Sequence, residues 1–404
     1  MLSVADARTR VLAPLRPRPP ETVSVDDGLG RVLAEDVHAR LDQPPRAVSA
    51  MDGYAVRSAD VAETPAELRI AGEVPAGGAH DTPLAPGEAV RIYTGAPLPP
   101  DADAIVIQEN AARDGERVTV HTGSPAGKWV RPAGLDFAAG DRGLAAGRRL
   151  TARDVSLAAA MNHPWLRVHR RPRVAVLATG DEVVLPGEPM GGGQIVSSNS
   201  LGLAAFVRAR GGEPVNLGIA RDDPDALAAR LDGAAGCDLL VTIGGASVGA
   251  HDHVHSVLEA KGADMGFWKI AMRPGKPLMF ADLGGLPVVG LPGNPVSVLV
   301  CAHIFLRPAL DALAGLPASD PPSVQAVLDA PLAANDRRAD HLRANLHRDD
   351  GGKLVATPFA RQDSSMLSGL AAADGLIVRP PHAAAAAAGD TVTALPLDDS
   401  VGGI

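Results

Sequence analysis

The chain has 404 residues, 46% of them apolar and 21% charged, so we expect about two to four domains with separate cores. A net charge of −9 and an aromatic content of 3% argue against a polyanionic partner and against base stacking on nucleic acid. Cys237 and Cys301 are too few for a disulfide framework or a zinc site. Residues 1–6 lack the apolar core of a signal peptide, and the apolar stretch 296–306 is too short to span a bilayer, which predicts a soluble, cytoplasmic protein.

The first part of the chain changes from helical to β-like patterning. Residues 4–15 predict a helix that ends at the Pro-rich segment 16–20, a break typical of a link between domains. From 57 to about 150, short β-branched runs recur between Gly and Pro residues, namely 68–71, 88–94, 104–108 and 117–121. This spacing predicts a small all-β domain.

Three polar turns interrupt this β-rich region, and each carries one candidate functional side chain. They are Met51-Asp52-Gly53, Thr94-Gly95-Ala96-Pro97 and the segment 131–141, which contains Asp136. Ordinary Asx-turn chemistry is sufficient to explain Asp52 beside Gly53. On local evidence, each of the three is simply a turn.

Residues 151–315 predict a helix followed by alternating strands and helices. Thr151 is a candidate N-cap, and Pro224 is placed at the first position of a helix that Asp223 caps, which leaves Asp222 free for another role. The alternation over 172–315 predicts a parallel or mixed sheet with ligands bound beyond the carboxyl ends of its strands.

The segment 238–254 is the centre of this α/β region. An apolar strand stops at Gly244-Gly245, continues through a loop containing Ser247 and Gly249, and reaches Asp252 at the start of a helix. Glycines allow close approach of the backbone, and a helix N-terminus favours a phosphate or a carboxylate. The alternative is an ordinary tight turn between a strand and a helix.

Charged side chains accompany the loops expected at the same sheet edge. Lysine is rare, with five among 38 lysine and arginine residues, yet Lys269 and Lys276 flank Arg273. A solvated surface cluster is one interpretation, and a phosphate or oxyanion site is the other. Several carboxylates accompany these cations, namely Glu182, Asp222, Asp252, Asp52 and Asp136. Phosphate, cations and carboxylates together are the setting in which proteins bind Mg²⁺.

Six separated motifs then identify the chain as similar to a known family. They are Ser49-Ala-Met-Asp-Gly-Tyr-Ala55, Thr94-Gly-Ala-Pro97, Ala178-Thr-Gly-Asp-Glu182, Gly244-Gly-Ala-Ser-Val-Gly249 with Asp252, Arg273-Pro-Gly-Lys-Pro277 and Leu291-Pro-Gly-Asn-Pro295. The combination resembles the molybdopterin molybdenumtransferases, the family that includes the C-terminal domain of gephyrin. The resemblance extends over essentially the whole chain.

The resemblance implies a reaction and an architecture. In the implied reaction, which requires Mg²⁺, adenylylated molybdopterin and molybdate are converted to molybdenum cofactor, AMP and water. The implied architecture is an elongated homodimer in which the α/β domain of each subunit faces the β domain of its partner. The implied fold class combines a central α/β molybdopterin-binding domain, which has a mixed or parallel sheet, with smaller β-rich domains. The expected domains are a connecting domain (21–45 and 147–171), a β-rich domain (46–146), the α/β domain (1–20 and 172–317) and a C-terminal β-barrel-like domain (318–404).

The resemblance also implies roles for individual residues. The catalytic set is Asp52, Thr94, Asp136, Glu182, Asp222 and Asp252. The substrate-binding set is Gly244, Gly245, Ser247, Gly249, Lys269, Arg273, Lys276, Pro292 and Pro295. Molybdate is expected at Arg343, Ser364 and Lys276, and Mg²⁺ at Asp252 and Glu182. Arg273 stands where lysine is common in the family, which changes the donor geometry.

Two other functions compete with this interpretation. The same fold serves gephyrin as a dimeric scaffold, but loss of the carboxylates would be the sign of a scaffold, and they are all present. A molybdopterin adenylyltransferase would need only a single α/β domain, so the extra β domains and the Asp52 motif argue against it. The adenylyltransferase and apo-molybdoenzymes are instead expected as partners.

Overall fold

The computed structural model describes residues 1–245 and 253–397. The chain forms two compact units, one of Met1–Glu21, Gly30–Ala34 and Val168–Ile404, the other of Thr22–Leu29 and Glu35–Arg167. The architecture combines an α/β sheet with β-rich regions, which confirms the expected fold class. The four-domain boundaries stay a prediction.

Residues 1–171 are mostly β structure. The elements are α1 (Val4–Leu12), β1 (Pro20–Ser24), β2 (Val37–His38), β3 (Val48–Ser49), β4 (Gly53–Val56), β5 (Ala66–Val74), β6 (Glu88–Ile92), β7 (Ala104–Ile107), β8 (Ala111–Asp114), β9 (Arg117–Val120), β10 (Val130–Arg131), β11 (Arg142–Leu144), α2 (Ala152–Ala160) and β12 (Trp165–His169), with 3₁₀ turns at Asp26–Gly28, Ser58–Val61 and Gln108–Asn110. Helix α1 is shorter than predicted: Ala13 still has helical φ and ψ angles, but Pro14 has no N–H with which to continue the helical hydrogen bonds. Thr151 caps α2 as predicted, in a reciprocal capping box with Asp154.

The predicted all-β region is a six-stranded sheet in the order β7-β4-β6-β5-β9-β8. Side chains alternate along β4, so that Tyr54 and Val56 join one buried cluster while Ala55 joins another. The strand is therefore buried on both faces. The turn that carries Asp52 lies immediately before this strand.

The α/β region contains the second six-stranded sheet. Its elements are β13 (Arg173–Thr179), β14 (Val183–Val184), β15 (Ile195–Val196), α3 (Asn199–Ala209), β16 (Glu213–Ala220), α4 (Pro224–Asp232), β17 (Leu239–Ile243), α5 (His253–Ala260), β18 (Asp264–Trp268), β19 (Met272–Arg273), β20 (Met279–Leu283), β21 (Leu286–Leu291), α6 (Pro295–Cys301), a π-helical turn (Ala302–Leu306) and α7 (Arg307–Leu313). The order is β16-β13-β17-β21-β20-β18, in which the first four strands are parallel and β20 runs antiparallel to both of its neighbours, β21 and β18. The sheet is therefore mixed.

The helical run Pro295–Leu313 forms the apolar core beside this sheet. The π-helical turn precedes Pro308, which has no N–H to donate to the carbonyl of Ile304. At 19 residues the run is longer than the apolar stretch anticipated from sequence, and its length and composition meet the minimum for a helix that spans a membrane. However, 78% of its most apolar window is buried inside the protein, as in the core helix of a globular domain.

Residues 324–396 form a closed β structure. The elements are β22 (Val324–Leu328), β23 (Ala339–Arg348), β24 (Leu354–Pro358), α8 (Leu367–Ala371), β25 (Gly375–Arg379) and β26 (Thr391–Pro396). Strand β23 pairs with both β24 and β25, which closes the pairing around β24, β22, β26 and β25 into a small barrel. Strand β19 adds to β23 in parallel.

Candidate functional site

A cavity of about 620 Å³ lies at the carboxyl ends of β13, β16, β17 and β21. The ends of these strands and the loops that follow them line the cavity with Thr179, Gly180, Glu182, Asp222, Gly244-Gly245 and Pro292–Pro295. These strand ends converge because all four strands are parallel, as expected for an α/β sheet. The predicted segment 269–276 does not line the cavity, although the next residue, Pro277, does.

Gly244 and Gly245 have conformations that require glycine. Their φ angles are +86° and +62°. A Cβ on Gly244 would lie 2.9 Å from the hydroxyl oxygen of Thr179, and one on Gly245 would lie 2.3 Å from a methyl carbon of Val254. Glycine is therefore required here by the backbone conformation and by the close packing of Thr179 and Val254, and both glycines line the cavity.

Glu182 and Asp222 bring two carboxylates to the same cavity. Both side chains are exposed. Across residues 1–245 and 253–397, neither carboxylate has a hydrogen-bond or ion-pair partner, although the backbone N–H of Asp222 donates to Asp181 at 3.2 Å. Asp223 caps α4 by accepting from the N–H of Ala226 at 2.8 Å, so the predicted cap is confirmed, whereas a functional role for Asp222 stays a prediction. The two carboxylates remain available to a ligand or cation.

A polar wall of the cavity was missed from sequence. Ser197, Ser198 and Asn199 line it at the start of α3. The amide of Asn199 donates to the carbonyl oxygen of Gly293 at 2.7 Å, which ties this wall to the Pro292–Pro295 loop. The run Ser197-Ser-Asn-Ser200 before an apolar helix was the available signal, since such residues favour helix N-termini.

The three predicted cations differ in their surroundings. The ammonium of Lys269 lies 5.4 Å from the centroid of the Trp268 ring, and Lys276 is exposed. The guanidinium of Arg273 donates from Nε to the carboxylate of Asp340 at 2.8 Å, and this contact raises the pKa of Arg273. Asp340 is buried, so the charge of Arg273 is largely balanced within the protein.

Arg343 is fully buried and its donors are bonded to a neighbouring loop. Nη1 donates to the carbonyl oxygen of Met366 at 2.9 Å, and Nη2 donates to those of Arg361 and Asp363 at 3.1 and 3.0 Å. Nε donates to the side chain of Gln362 at 3.3 Å. Arg343 thus holds the segment 359–366, which we call the arginine loop.

The arginine loop reaches the edge of the cavity. Ser364 accepts a hydrogen bond from the side-chain amide of Asn294 at 2.8 Å, and Ser365 lines the cavity. The predicted molybdate residue Ser364 therefore lies one side chain away from the cavity itself. Its partner Asn294 is a cavity-lining residue.

The second unit contains the remaining predicted residues in two places. Asp52 accepts from the backbone N–H of Thr94 at 2.8 Å and from its hydroxyl at 2.9 Å, and these bonds lower the pKa of Asp52. Asp136 lines a separate cavity of about 520 Å³ together with Gly95, Arg46 and Arg131. Asp52 and Thr94 form one pair, and Asp136 lies in the neighbouring groove.

Ser247, Gly249 and Asp252 lie outside the described residues. Within the part of the chain that is described, no group of three or more His, Cys, Asp or Glu side chains could hold a metal ion. Mg²⁺ commonly takes only one or two carboxylates and completes its shell with water and substrate phosphate. The unpartnered carboxylate of Glu182 fits that type of donor set.

Three family models match the chain. They are the MoeA N-terminal region (domain I and II) over residues 2–162, the probable molybdopterin binding domain over 175–312, and the MoeA C-terminal region (domain IV) over 325–397. Together these matches span both compact units.

Full-length relatives agree with these models. A molybdopterin molybdenumtransferase of Nostoc sp. is 39% identical over 360 residues, which cover 87% of this chain and 83% of that protein. Molybdopterin molybdenumtransferase 2 of Mycobacterium tuberculosis is 39% identical over 399 residues, covering 96% and 98%. The crystal structure of the molybdopterin biosynthesis MoeA protein from Pyrococcus horikoshii is 30% identical with a TM-score of 0.85, over 98% of this chain and 99% of that chain.

Proposed function

The chain belongs to the molybdopterin molybdenumtransferase family, and from this premise we propose that it inserts molybdate into adenylylated molybdopterin and releases AMP and water. Family membership makes it a transferase of molybdenum cofactor biosynthesis. The observation that supports the specific reaction is the cavity, where the Gly244-Gly245 backbone accompanies the carboxylates of Glu182 and Asp222, which have no partner within residues 1–245 and 253–397.

Different parts of the cavity suit different parts of the substrate. The N-terminus of α3 suits phosphate, because the first N–H groups of a helix and its dipole favour an anion, and the Gly244-Gly245 backbone lines the same cavity. Lys269 and Lys276 are the cations proposed to balance phosphate and oxyanion charge. Ser364, with Lys276 and Arg343, is proposed to bind molybdate, since a tetrahedral dianion needs hydroxyl and cationic donors.

The two cavity carboxylates are proposed to have different roles in the reaction. Glu182, with Asp252 outside the described residues, is proposed to hold Mg²⁺, and Asp222 is then free to orient the attacking oxygen at the phosphoanhydride. When bound, Mg²⁺ would neutralise charge on the phosphoanhydride and make AMP a better leaving group.

The catalytic roles of Asp52, Thr94 and Asp136 stay predictions. The cytoplasmic location and the homodimer are also proposals, and light scattering of the purified protein tests the dimer.

Single-turnover release of AMP tests the proposed reaction. Purified protein is given adenylylated molybdopterin and Mg²⁺ with or without molybdate. We expect AMP release that requires molybdate and stops when EDTA removes Mg²⁺. Glu182→Gln and Asp222→Asn proteins should each lose roughly 100-fold or more of the rate, as when a positioned acid or base is removed.

Asp225→Asn is the matched control, because Asp225 is exposed and lies three residues from Asp222 without lining the cavity. It should retain the wild-type rate. Absence of AMP release from folded wild-type protein would reject the transferase reaction. Full activity in both carboxylate variants would instead reject their role.

A further inference from the structure

A small ribbon covers one side of the cavity without joining the six-stranded sheet. Strand β14 pairs in parallel with β15, and the residues 185–194 between them include four glycines. The N–H of Ile195 donates to the carbonyl of Glu182 at 2.8 Å, and the N–H of Ser197 donates to that of Val184 at 2.8 Å. We call residues 183–196 the flap. It is bonded directly to the backbone of Glu182.

The flap carries an unusual amount of exposed apolar surface. Ile195 and Val196 are 55% and 43% exposed, and Leu185 and Met190 on the same flap are similarly exposed. Only Val183, Ile195 and Val196 among the flap residues line the cavity. Leaving β-branched side chains open beside a cavity is typical of a binding surface that is covered when its ligand enters.

The other lining residues restrict the part of a ligand that can cover this wall. Glu182, Asp222, Ser197 and Asn199 are polar, and the Gly244-Gly245 loop offers backbone groups. Phosphate and molybdate are strongly hydrated anions and would lose hydration against Ile195 and Val196 without gaining hydrogen bonds. A flat heteroaromatic ring has apolar faces and polar edges, so its face can contact the flap while its edges face the polar lining of the cavity.

We propose that the flap is the wall on which the pterin ring of the substrate packs, with Ile195 and Val196 as the residues that bind the ring face. This inference rests on the proposed function and deepens it. The cavity is then divided into an apolar wall for the ring and a polar wall, formed by Gly244-Gly245 and the start of α3, for the phosphates. Because the flap is bonded to the carbonyl of Glu182, ring binding also orders the backbone beside a reacting carboxylate.

Truncation of the flap side chains tests the proposal. Ile195→Ala/Val196→Ala protein is compared with Leu185→Ala protein, whose altered residue is an equally exposed apolar side chain of the same flap that does not line the cavity. Dissociation constants are measured by titration calorimetry for adenylylated molybdopterin and, separately, for AMP. Ile195→Leu/Val196→Leu protein tests whether another apolar wall restores binding.

We expect the double alanine variant to bind adenylylated molybdopterin roughly 10-fold to 100-fold more weakly, given the apolar area it removes. It should bind AMP as tightly as the wild type does. The Leu185→Ala control and the leucine variant should bind adenylylated molybdopterin with a dissociation constant within about 3-fold of the wild-type value. The melting temperature should not change, because both side chains are already exposed. Unfolding is therefore not an explanation for the loss.

Two results would overturn the inference while leaving the proposed function intact. One is unchanged affinity of the double alanine variant for adenylylated molybdopterin. The other is an equal loss of affinity for AMP, which would place the nucleotide rather than the pterin on the flap. Wild-type protein that binds no adenylylated molybdopterin would reject the proposed function first, and the inference with it.

Discussion

The cavity at the edge of the α/β sheet and the arginine loop both present polar groups, but the protein holds them in different ways. In the cavity, Glu182 and Asp222 have no bonding partner within residues 1–245 and 253–397. In the arginine loop, four donors of the buried Arg343 are bonded to protein acceptors. Groups without partners are available for ligands at little cost to folding, whereas Arg343 contributes to the stability of the segment that presents Ser364.

Mutations in the cavity and mutations at Arg343 should therefore affect different properties of the protein, activity in the first case and stability in the second. Substitutions in the cavity should change activity and leave stability nearly unchanged. Substitutions at Arg343 should lower stability first, and they affect molybdate binding through the position of Ser364 as well as through any direct contact. Asp52 is intermediate, because its carboxylate is bonded to Thr94 although it lies at the surface.

The largest expected effect is that of Arg343→Ala. We expect the free energy of unfolding to fall by roughly 3 to 5 kcal/mol, since four hydrogen bonds of the buried guanidinium are lost at about 0.5–1.5 kcal/mol each. Urea denaturation measures the change. Arg361→Ala is the matched control, because the Arg361 side chain is exposed on the same loop and only its carbonyl bonds to Arg343. Equal stability of the two variants would contradict a holding role for Arg343.

A second prediction concerns His341 in the same barrel. Burial lowers the pKa of His341 from 6.5 to about 4, with smaller contributions from His303 and Arg8. The unfolded chain therefore binds the proton first, so stability is complete above pH 6.5 and falls as the pH decreases towards about 4. The slope should approach about 1.4 kcal/mol per pH unit within this window.

Denaturation of wild-type and His341→Gln proteins across that pH range measures this contribution. The variant lacks the titrating ring, so the difference between the two unfolding free energies should depend on pH in this interval and not above it. Parallel curves for the two proteins would show that His341 does not titrate as its burial indicates.

The smallest effect is expected for stability in the cavity. Glu182→Gln and Asp222→Asn should each change the free energy of unfolding by no more than about 0.5 kcal/mol, as for surface substitutions that break no contact. The same denaturation series measures it. A loss well above this value in either variant would reveal a structural partner for the carboxylate and would break the contrast with the arginine loop.

Much of the fold follows from local patterns. The Thr151 cap, the Asp223-Pro224 helix start and the strand that ends at Gly244-Gly245 are all found where sequence places them. Each depends on residues close together in the chain. Strand β20 was missed, although the Gly284-Gly285 turn between it and β21 is a local signal for a β-hairpin.

The sequence by itself determined which loops follow the parallel strands, and therefore which glycines and carboxylates meet at one edge. Only the tertiary structure decided which charged groups already have partners. Arg273 and Asp340 are 67 residues apart, and Arg343 is bonded to a loop about 20 residues away through the closure of the barrel. Such contacts depend on strand register and burial across distant segments, and a charge is available to a ligand only where that packing leaves it without a partner.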